Sequence, residues 1–504
     1  MPALTAGPAH RAEARRAPQR LLLSLLLALP AVALAAGAPT DGRLTKSAPP
    51  NNTGSALAHH APAPGTLAAV APEPNTLVPA GDRHYAPAAR PDRIVASPAA
   101  DPARGFQGAW RTAPGVDAPL LEVVVAGDSP DTGLPRRLAA HTTLVETDNG
   151  PAARHRVAID GLQPDTLHAF RVQGGNGWWS PWRQLRTAAA SPAPLEFLYF
   201  GDTQNKNASH GSRVLLEALR HAPDARLALF AGDLVSGGDG EDDNEWGEWY
   251  EIAAPVAASM LVAPVMGNHE YAKEFEDTPE ERRVMGAYWP HAFALPRNGA
   301  PGAEASTYWF DMQGARFVVL DGTSALDLGT AAAQAAWLDG VLAGNPGEWA
   351  IVAIHQPMFS PRQDRDNALL REHILPVLER HRVDLVLQGH DHVYGRRGGL
   401  AAGQGTPQYV VSVAGAKQYR LSPRARATMA PVAEDTQLFQ VVRIADGVLE
   451  YEARTATGRL YDAFALVGGR DAGRRLVERS DGRIAPRDCP REATPKGRTD
   501  RCWE

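Results

Sequence analysis

The spacing of apolar and polar positions changes several times along the chain. Residues 21–29 are a leucine run interrupted only by Ser24 and Ala28, behind Arg11, Arg15, Arg16 and Arg20. The run stops at Pro30, and Ala33-Leu34-Ala35 follows with small–x–small spacing. A bilayer takes about 20 apolar residues to cross, so the pattern predicts a cleaved export signal over 1–35. The alternative is an uncleaved N-terminal anchor. Residues 36–84 are rich in Ala, Pro, Gly, Thr and Asn and hold no Phe, Trp or Tyr. Such a stretch buries too little apolar surface to offset its ordering entropy, which predicts a disordered linker. Over 85–189 short alternating strands are expected at 93–96, 108–111, 121–125, 155–159 and 168–172. About seven strands in roughly 100 residues predict a β-sandwich. From 190 to 468 apolar strands end in Gly-containing turns, with helical stretches between. Helices are expected at 211–221, 331–342 and 367–381. Strands are expected at 195–200, 227–231, 262–266, 317–320, 350–354, 383–387 and 409–413, and a hairpin at 438–454. This is an α/β pattern. Residues 469–504 read as a polar tail.

Composition narrows the class. Of 504 residues 44% are hydrophobic and 21% charged, which excludes a wholly disordered chain and a multi-span membrane protein. The formal charge is −6 and no domain is strongly basic, so no nucleic-acid-binding signature is present. No other apolar stretch is long enough to span a membrane, so the expectation after signal cleavage is an exported protein, periplasmic or extracellular. In an oxidising compartment Cys489 and Cys502 are expected to pair. Two free thiols or a metal pair are the alternatives.

Five strand ends carry the residue types that ligate metals. They are Gly201-Asp202-Thr203-Gln204, Gly232-Asp233, Gly267-Asn268-His269-Glu270, His355-Gln356-Pro357 and Gly389-His390-Asp391-His392. In open α/β sheets, ligands bind at the C-terminal ends of the strands. Carboxylate, imidazole and amide oxygen together suit borderline divalent metals or iron. Two ions about 3.5–4 Å apart need a bridging carboxylate, and such a pair also holds a hydroxide able to attack a phosphate ester in line. A single Gly-Asp or His-x-His is weak evidence, but five in succession after buried strands are not.

This order resembles the calcineurin-type metallophosphoesterases, and in particular their purple acid phosphatase-like branch. The stretch from Gly161-Leu162-Gln163-Pro164-Asp165-Thr166 to Leu185-Arg186-Thr187 resembles the end of a fibronectin type III-like module. Gly415-Ala416-Lys417 adds to the likeness, which covers about 85–466. The resemblance implies a fibronectin III-like β-sandwich followed by an α/β metallophosphoesterase sandwich of two mixed sheets flanked by helices. By position, it implies that Asp233 bridges two metals. Asp202 and His392 then hold the first metal, and Asn268, His355 and His390 the second. His269 faces the substrate and acts as a general acid or stabilises phosphoryl oxygens. The expected ions are two of Fe, Zn or Mn, and the expected partner is a small phosphate ester. The implied reaction is phosphomonoester hydrolysis; a diesterase or nucleotidase, or a non-catalytic binding protein, are the other readings.

Two positions depart from the family. Ser236 stands where purple enzymes carry a tyrosine, so an iron-loaded protein is expected to lack their visible charge-transfer band. Gln204 stands where other members carry a histidine. It either supplies an amide oxygen to the first metal or sits behind the ligands. Among weaker features, the acidic run 239–245 reads as a solvated loop, Trp246, Trp249 and Tyr250 as packing residues, and Lys417 and Tyr419 as cleft-lining. Arg396 reads equally as a phosphate contact or a salt-bridge partner.

Overall fold

A computed structural model of the chain describes residues 74–237, 242–276, 278–400, 406–470 and 473–503. The expected export signal and residues 36–73 of the expected linker lie outside the described residues.

The first domain is a pair of antiparallel four-stranded sheets. One is ordered Asp92–Pro98, Phe106–Thr112, Ala152–Ile159, His141–Val145; the other Arg136–Ala139, Leu120–Val125, Leu167–Val172, Arg183–Arg186. Inward-facing Phe106, Trp110, Leu121 and Phe170 fill the space between them, with the rings of Phe106 and Phe170 5.2 Å apart. Each such fully buried side chain contributes about 1.5–3 kcal/mol. The sequence reading missed Arg136–Ala139 and His141–Val145. Both are edge strands with mostly exposed or half-exposed side chains, so they carry no apolar alternation to read.

The second domain stacks two seven-stranded mixed sheets. In the first, Leu261–Pro264, Leu227–Phe230 and Leu195–Phe200 run parallel, and the antiparallel strands Leu438–Ala445, Val448–Thr455, Leu460–Val467 and Arg475–Glu478 extend it. In the second, Ala315–Leu320, Trp349–Ile354, Leu385–Gln388 and Gln408–Val411 run parallel. Tyr308–Met312 flanks them antiparallel on one side, Tyr394–Gly398 on the other. The core between the sheets is apolar, and Phe197 meets Phe317 edge to face at 5.3 Å. Tyr199 of the first sheet exchanges hydrogen bonds with the backbone of Gln388 in the second. That contact helps set the stagger of the two sheets.

Four sequence expectations are corrected. The single helix over 367–381 is two, Ala368–His373 and Leu375–Arg380. Pro376 offers no N–H to the Glu372 carbonyl and its ring crowds that oxygen, so the helix restarts there. The acidic run is not a solvated loop where it is described. Asp242 caps the helix Asp243–Ala257, accepting from the N–H groups of Asn244 and Glu245. Asp243 and Glu245 are buried. Burial of Asp243 is offset by two sandwich guanidiniums, Arg93 at 2.5 Å and Arg111 at 3.2 Å, which hold its carboxyl below the usual range. Trp246, Trp249 and Tyr250 pack in the core beneath. The end of the expected linker is held: Asn75 and Leu77 hydrogen-bond to Ser236 and Glu248, and the adjoining Tyr85 to Glu251. The tail is not featureless either. Arg475–Glu478 closes the first sheet, and Arg501–Trp503 pairs with Gln418–Tyr419 beside the bonded pair Cys489 and Cys502, whose Cα atoms are 5.3 Å apart. Arg396 is buried on Asp462 at 2.7 Å and Glu478 at 2.8 Å, so it is a salt-bridge partner.

Candidate metal centre

Five turns converge where the two sheets open on the same side. Asp202, Asp233 and Asn268 follow the three adjacent parallel strands of the first sheet. His355, His390 and His392 follow two adjacent parallel strands of the second. Donor atoms of Asp202, Asp233 and His392 lie within 4.8 Å of one another, as do those of Asp233, His355 and His390. Asp233 belongs to both groups. Asn268 Oδ1 is 3.3 Å from His355 Nε2 and joins the second.

The backbone is bent to achieve this. Asp233, His390 and His392 adopt φ of +49°, +73° and +48°. Left-handed non-glycine residues cost of order 1–3 kcal/mol each and collect at functional sites. Gly232 and Gly389 let the turns close up. A Cβ at Gly232 would lie 2.6 Å from His355 Nδ1, and one at Gly389 2.4 Å from Asp202 Oδ2.

Hydrogen bonds aim the rings. His355 Nδ1 is 2.7 Å from the Ala231 carbonyl and His392 Nδ1 3.2 Å from that of Lys417. An N–H at each Nδ1 leaves each Nε2 with a lone pair. His355 Nε2 points at Asp233 Oδ2, 3.1 Å away, and His392 Nε2 lies 3.7 Å from Asp202 Oδ1. The ring of Tyr419 packs on His392, with centroids 4.9 Å apart. Asp202 Oδ2 accepts from the His390 N–H at 2.6 Å, whereas its buried Oδ1 has no hydrogen-bond partner.

The electrostatics ask for cations. Burial pushes the Asp202 carboxyl well up. Burial opposes ionisation of Asp233 too, but His355 and His269 outweigh it and hold that carboxyl well down. Burial also disfavours a charged His355, yet Asp233 and Asp202 lift its imidazole to about 9. A proton thus sits where these carboxylates require positive charge. Two buried carboxylates, three imidazoles and an orphaned carboxylate oxygen fit a pair of borderline divalent or iron ions. Metal must displace the His355 proton. Affinity is therefore expected to fall as pH drops below about 9, by about tenfold per unit for one proton released. Chelator-competition titrations between pH 6 and 8 check this, and a flat profile refutes it.

Gln204 lies against the first group. Its Nε2 is 2.7 Å from Asp233 Oδ2 and 3.2 Å from His392 Nε2, while its buried Oε1 is unpartnered. Reversing the amide turns that oxygen toward the same point. Ser236 faces elsewhere: its hydroxyl bonds the carboxylate of buried Glu245 and accepts from Asn75 Nδ2 at 2.6 Å. His269 donates its backbone N–H to Asp233 Oδ1 at 3.0 Å, and its Nε2 is 4.0 Å from Asp233 Oδ2. With its side chain 24% exposed it forms part of the rim. Burial lowers its pKa, Asp233 opposes, and the nearby Lys417 charge adds to the lowering.

Two acidic residues inside the quoted motifs had no assigned part. Glu270 accepts from the N–H groups of Gly267 at 2.7 Å, Asp233 at 3.1 Å and Leu234 at 2.7 Å, tying two ligand turns together. Burial, then the neighbouring Asp233 charge, pushes its carboxyl up to about 8. Its signal was an acidic residue directly before a strand starting at Tyr271. Asp391 turns away from the donors to Ser360 at 2.5 Å and to Arg365, bracing the turn between the two histidines. Glu270→Gln sets an amide N–H₂ against backbone donors. It is expected to weaken metal binding by about 10–100-fold, as outer groups of metal sites do. Metal affinity of the variant measures this, and unchanged affinity rejects it.

Comparison with known proteins follows the same division of the chain. Residues 91–187 match the purple acid phosphatase N-terminal domain, and residues 195–394 the calcineurin-like phosphoesterase family. An uncharacterized protein of Mycobacterium tuberculosis is 27% identical over 285 residues, covering 49% of this chain and 52% of its own. The Fe(3+)-Zn(2+) purple acid phosphatase 12 of Arabidopsis thaliana is 26% identical over 255 residues, 48% of this chain and 52% of its own. The chain thus spans about half the length of these curated relatives. The purple acid phosphatase PPD1 from yellow lupin seeds superposes with a TM-score of 0.61 at 17% identity, covering 75% of this chain and 74% of that one. That likeness is one of fold. The chain thus contains a calcineurin-like phosphoesterase domain over 195–394, preceded over 91–187 by the N-terminal domain found in purple acid phosphatases.

Proposed function

We propose that the chain is a binuclear metal-dependent phosphatase that hydrolyses small phosphomonoesters. The observation that carries this reading is the sharing of Asp233 by two donor groups. One carboxylate common to both is what holding two like charges close together requires. Asp202 and His392, with Gln204 beside them, hold the first ion. Asn268, His355 and His390 hold the second. Bound there, two ions supply Lewis acidity at the phosphoryl oxygens and a water acidified enough to attack near neutral pH. The chain's own contribution is placement. Nδ1 contacts to carbonyls fix the rings of His355 and His392, Glu270 fixes the turns, and His269 on the rim donates a proton to the leaving oxygen.

Iron and zinc are favoured by the relative named for Fe(3+) and Zn(2+). Ser236 argues against a tyrosinate-bound iron, since its hydroxyl is engaged by Glu245. Export rests on the charged and leucine-rich start of the sequence.

The test is metal content with turnover of p-nitrophenyl phosphate and bis-p-nitrophenyl phosphate, before and after chelation. Two ions per chain and chelator-sensitive turnover favouring the monoester are expected. Preference for the diester moves the substrate class. No turnover after loading with Fe, Zn or Mn ends the reading.

A further inference from the structure

A cavity of about 530 Å³ opens beside the metal centre. Its wall includes Lys206, Arg213, Arg459, Arg487, Asp435 and Trp503. None of these is a member of either donor group. Residues 416–419 run between the two places. Ala416 and Gln418 line the cavity, whereas the Lys417 carbonyl and the Tyr419 ring meet His392. Trp503 pairs with Gln418 in a short antiparallel ladder, so the disulfide-closed C-terminal segment forms one side.

The charge here departs from the chain's average. The protein carries −6, yet guanidiniums gather in this concavity. Its lining carboxylate, Asp435, is already bonded by Arg487 and by the Trp503 indole N–H. Arg213, on the helix Ser212–His221, and Arg459, just before the strand Leu460–Val467, are exposed and make no ion pair among the described residues. Guanidinium forks match phosphate oxygens geometrically. The volume lies in the ordinary range for ligand sites, about 300–1,000 Å³, and far exceeds one phosphate group. Trp503 is 49% exposed and offers a flat apolar face at the edge.

We propose that this cavity binds an oligophosphate group through Arg213 and Arg459, at a site separate from the metal centre. The group belongs either to a bare phosphate chain or to a nucleotide whose base lies on Trp503. The site goes beyond the phosphatase reading and does not depend on it.

The test is calorimetry on the full chain stripped of metal, with tripolyphosphate and ATP as probes. Without metal nothing is hydrolysed, and the arginine variant separates binding here from binding at the metal centre. Saturable tripolyphosphate binding that weakens with added salt is expected. Arg213→Glu/Arg459→Glu is expected to weaken it by about tenfold or more, the effect of losing hydrogen bonds to charged groups. The same variant should keep its melting temperature, metal content and nitrophenyl phosphate turnover. If charge reversal lowers the melting temperature, Arg213→Gln/Arg459→Gln takes its place. ATP binding tighter than tripolyphosphate, with the gain lost in Trp503→Ala, supports the site and assigns a nucleotide. Equal affinities support it and assign a bare chain. No saturable binding at millimolar probe, or undiminished affinity in the arginine variant, overturns the proposal. Failure here leaves the metal test untouched, because turnover is measured separately.

Discussion

Asp233→Ala is expected to lose both metal ions and turnover together. The reason lies in the sharing of one side chain. Asp233 Oδ2 is 3.1 Å from His355 Nε2 and 2.7 Å from Gln204 Nε2, so it faces both donor groups. Removing it leaves Asp202 with His392, and His355 with His390 and Asn268. It also removes the carboxylate that offsets repulsion between the ions. The loss should go well beyond the ~10–100-fold that follows changes behind metal ligands. Metal analysis and p-nitrophenyl phosphate turnover on the same preparation check it. Two ions retained, or turnover near wild type, refutes the bridging role. Asp233→Ala also takes away the acceptor of the His269 N–H at 3.0 Å. The fold itself should survive, since the apolar core between the sheets is not touched.

His269→Ala separates chemistry from metal binding. His269 holds the site through its backbone N–H, which alanine keeps. Its imidazole reaches the rim, and its Nδ1 has no hydrogen-bond partner. Metal content is therefore expected to stay at the wild-type level while kcat falls by about 10²–10⁴, the usual worth of a positioned proton donor. The fall should shrink for substrates with good leaving groups, which need less protonation. A uniform loss across leaving groups assigns His269 to phosphoryl binding. Unchanged kcat removes it from the reaction.

The convergent turns were legible because each follows a run of buried residues that few other patterns imitate. Leu195–Phe200, Trp349–Ile354 and Leu385–Gln388 are almost wholly apolar. The glycines before Asp202, Asp233, Asn268 and His390 mark where the chain must turn sharply. What was not legible depended on partners far away in sequence. The helix at Asp243 reads as acidic surface until Arg93 and Arg111 arrive from the sandwich to neutralise it. Residues 74–84 lack aromatic anchors, and their order comes from hydrogen bonds to Glu248, Ser236 and the backbone of Lys206. The cavity beside the metal centre draws on positions from Lys206 to Trp503, and no local motif marks it. Glu270 and Asp391 sat inside the recognised motifs. Their part lies in backbone N–H groups and a neighbouring turn, which residue spacing does not reveal.

The pairing of Asp243 with Arg93 and Arg111 bears on what the sandwich does for its neighbour. A buried carboxylate of one domain is neutralised by guanidiniums of the other, with side-chain exposures at or below 2%. Breaking a buried pair from one side leaves an uncompensated charge, at a cost of about 3–5 kcal/mol. Substituting Asp243 alone, or Arg93 and Arg111 alone, carries that penalty while both domains stay in place. By neutralising this buried carboxylate the sandwich contributes to the stability of its neighbour without touching a substrate.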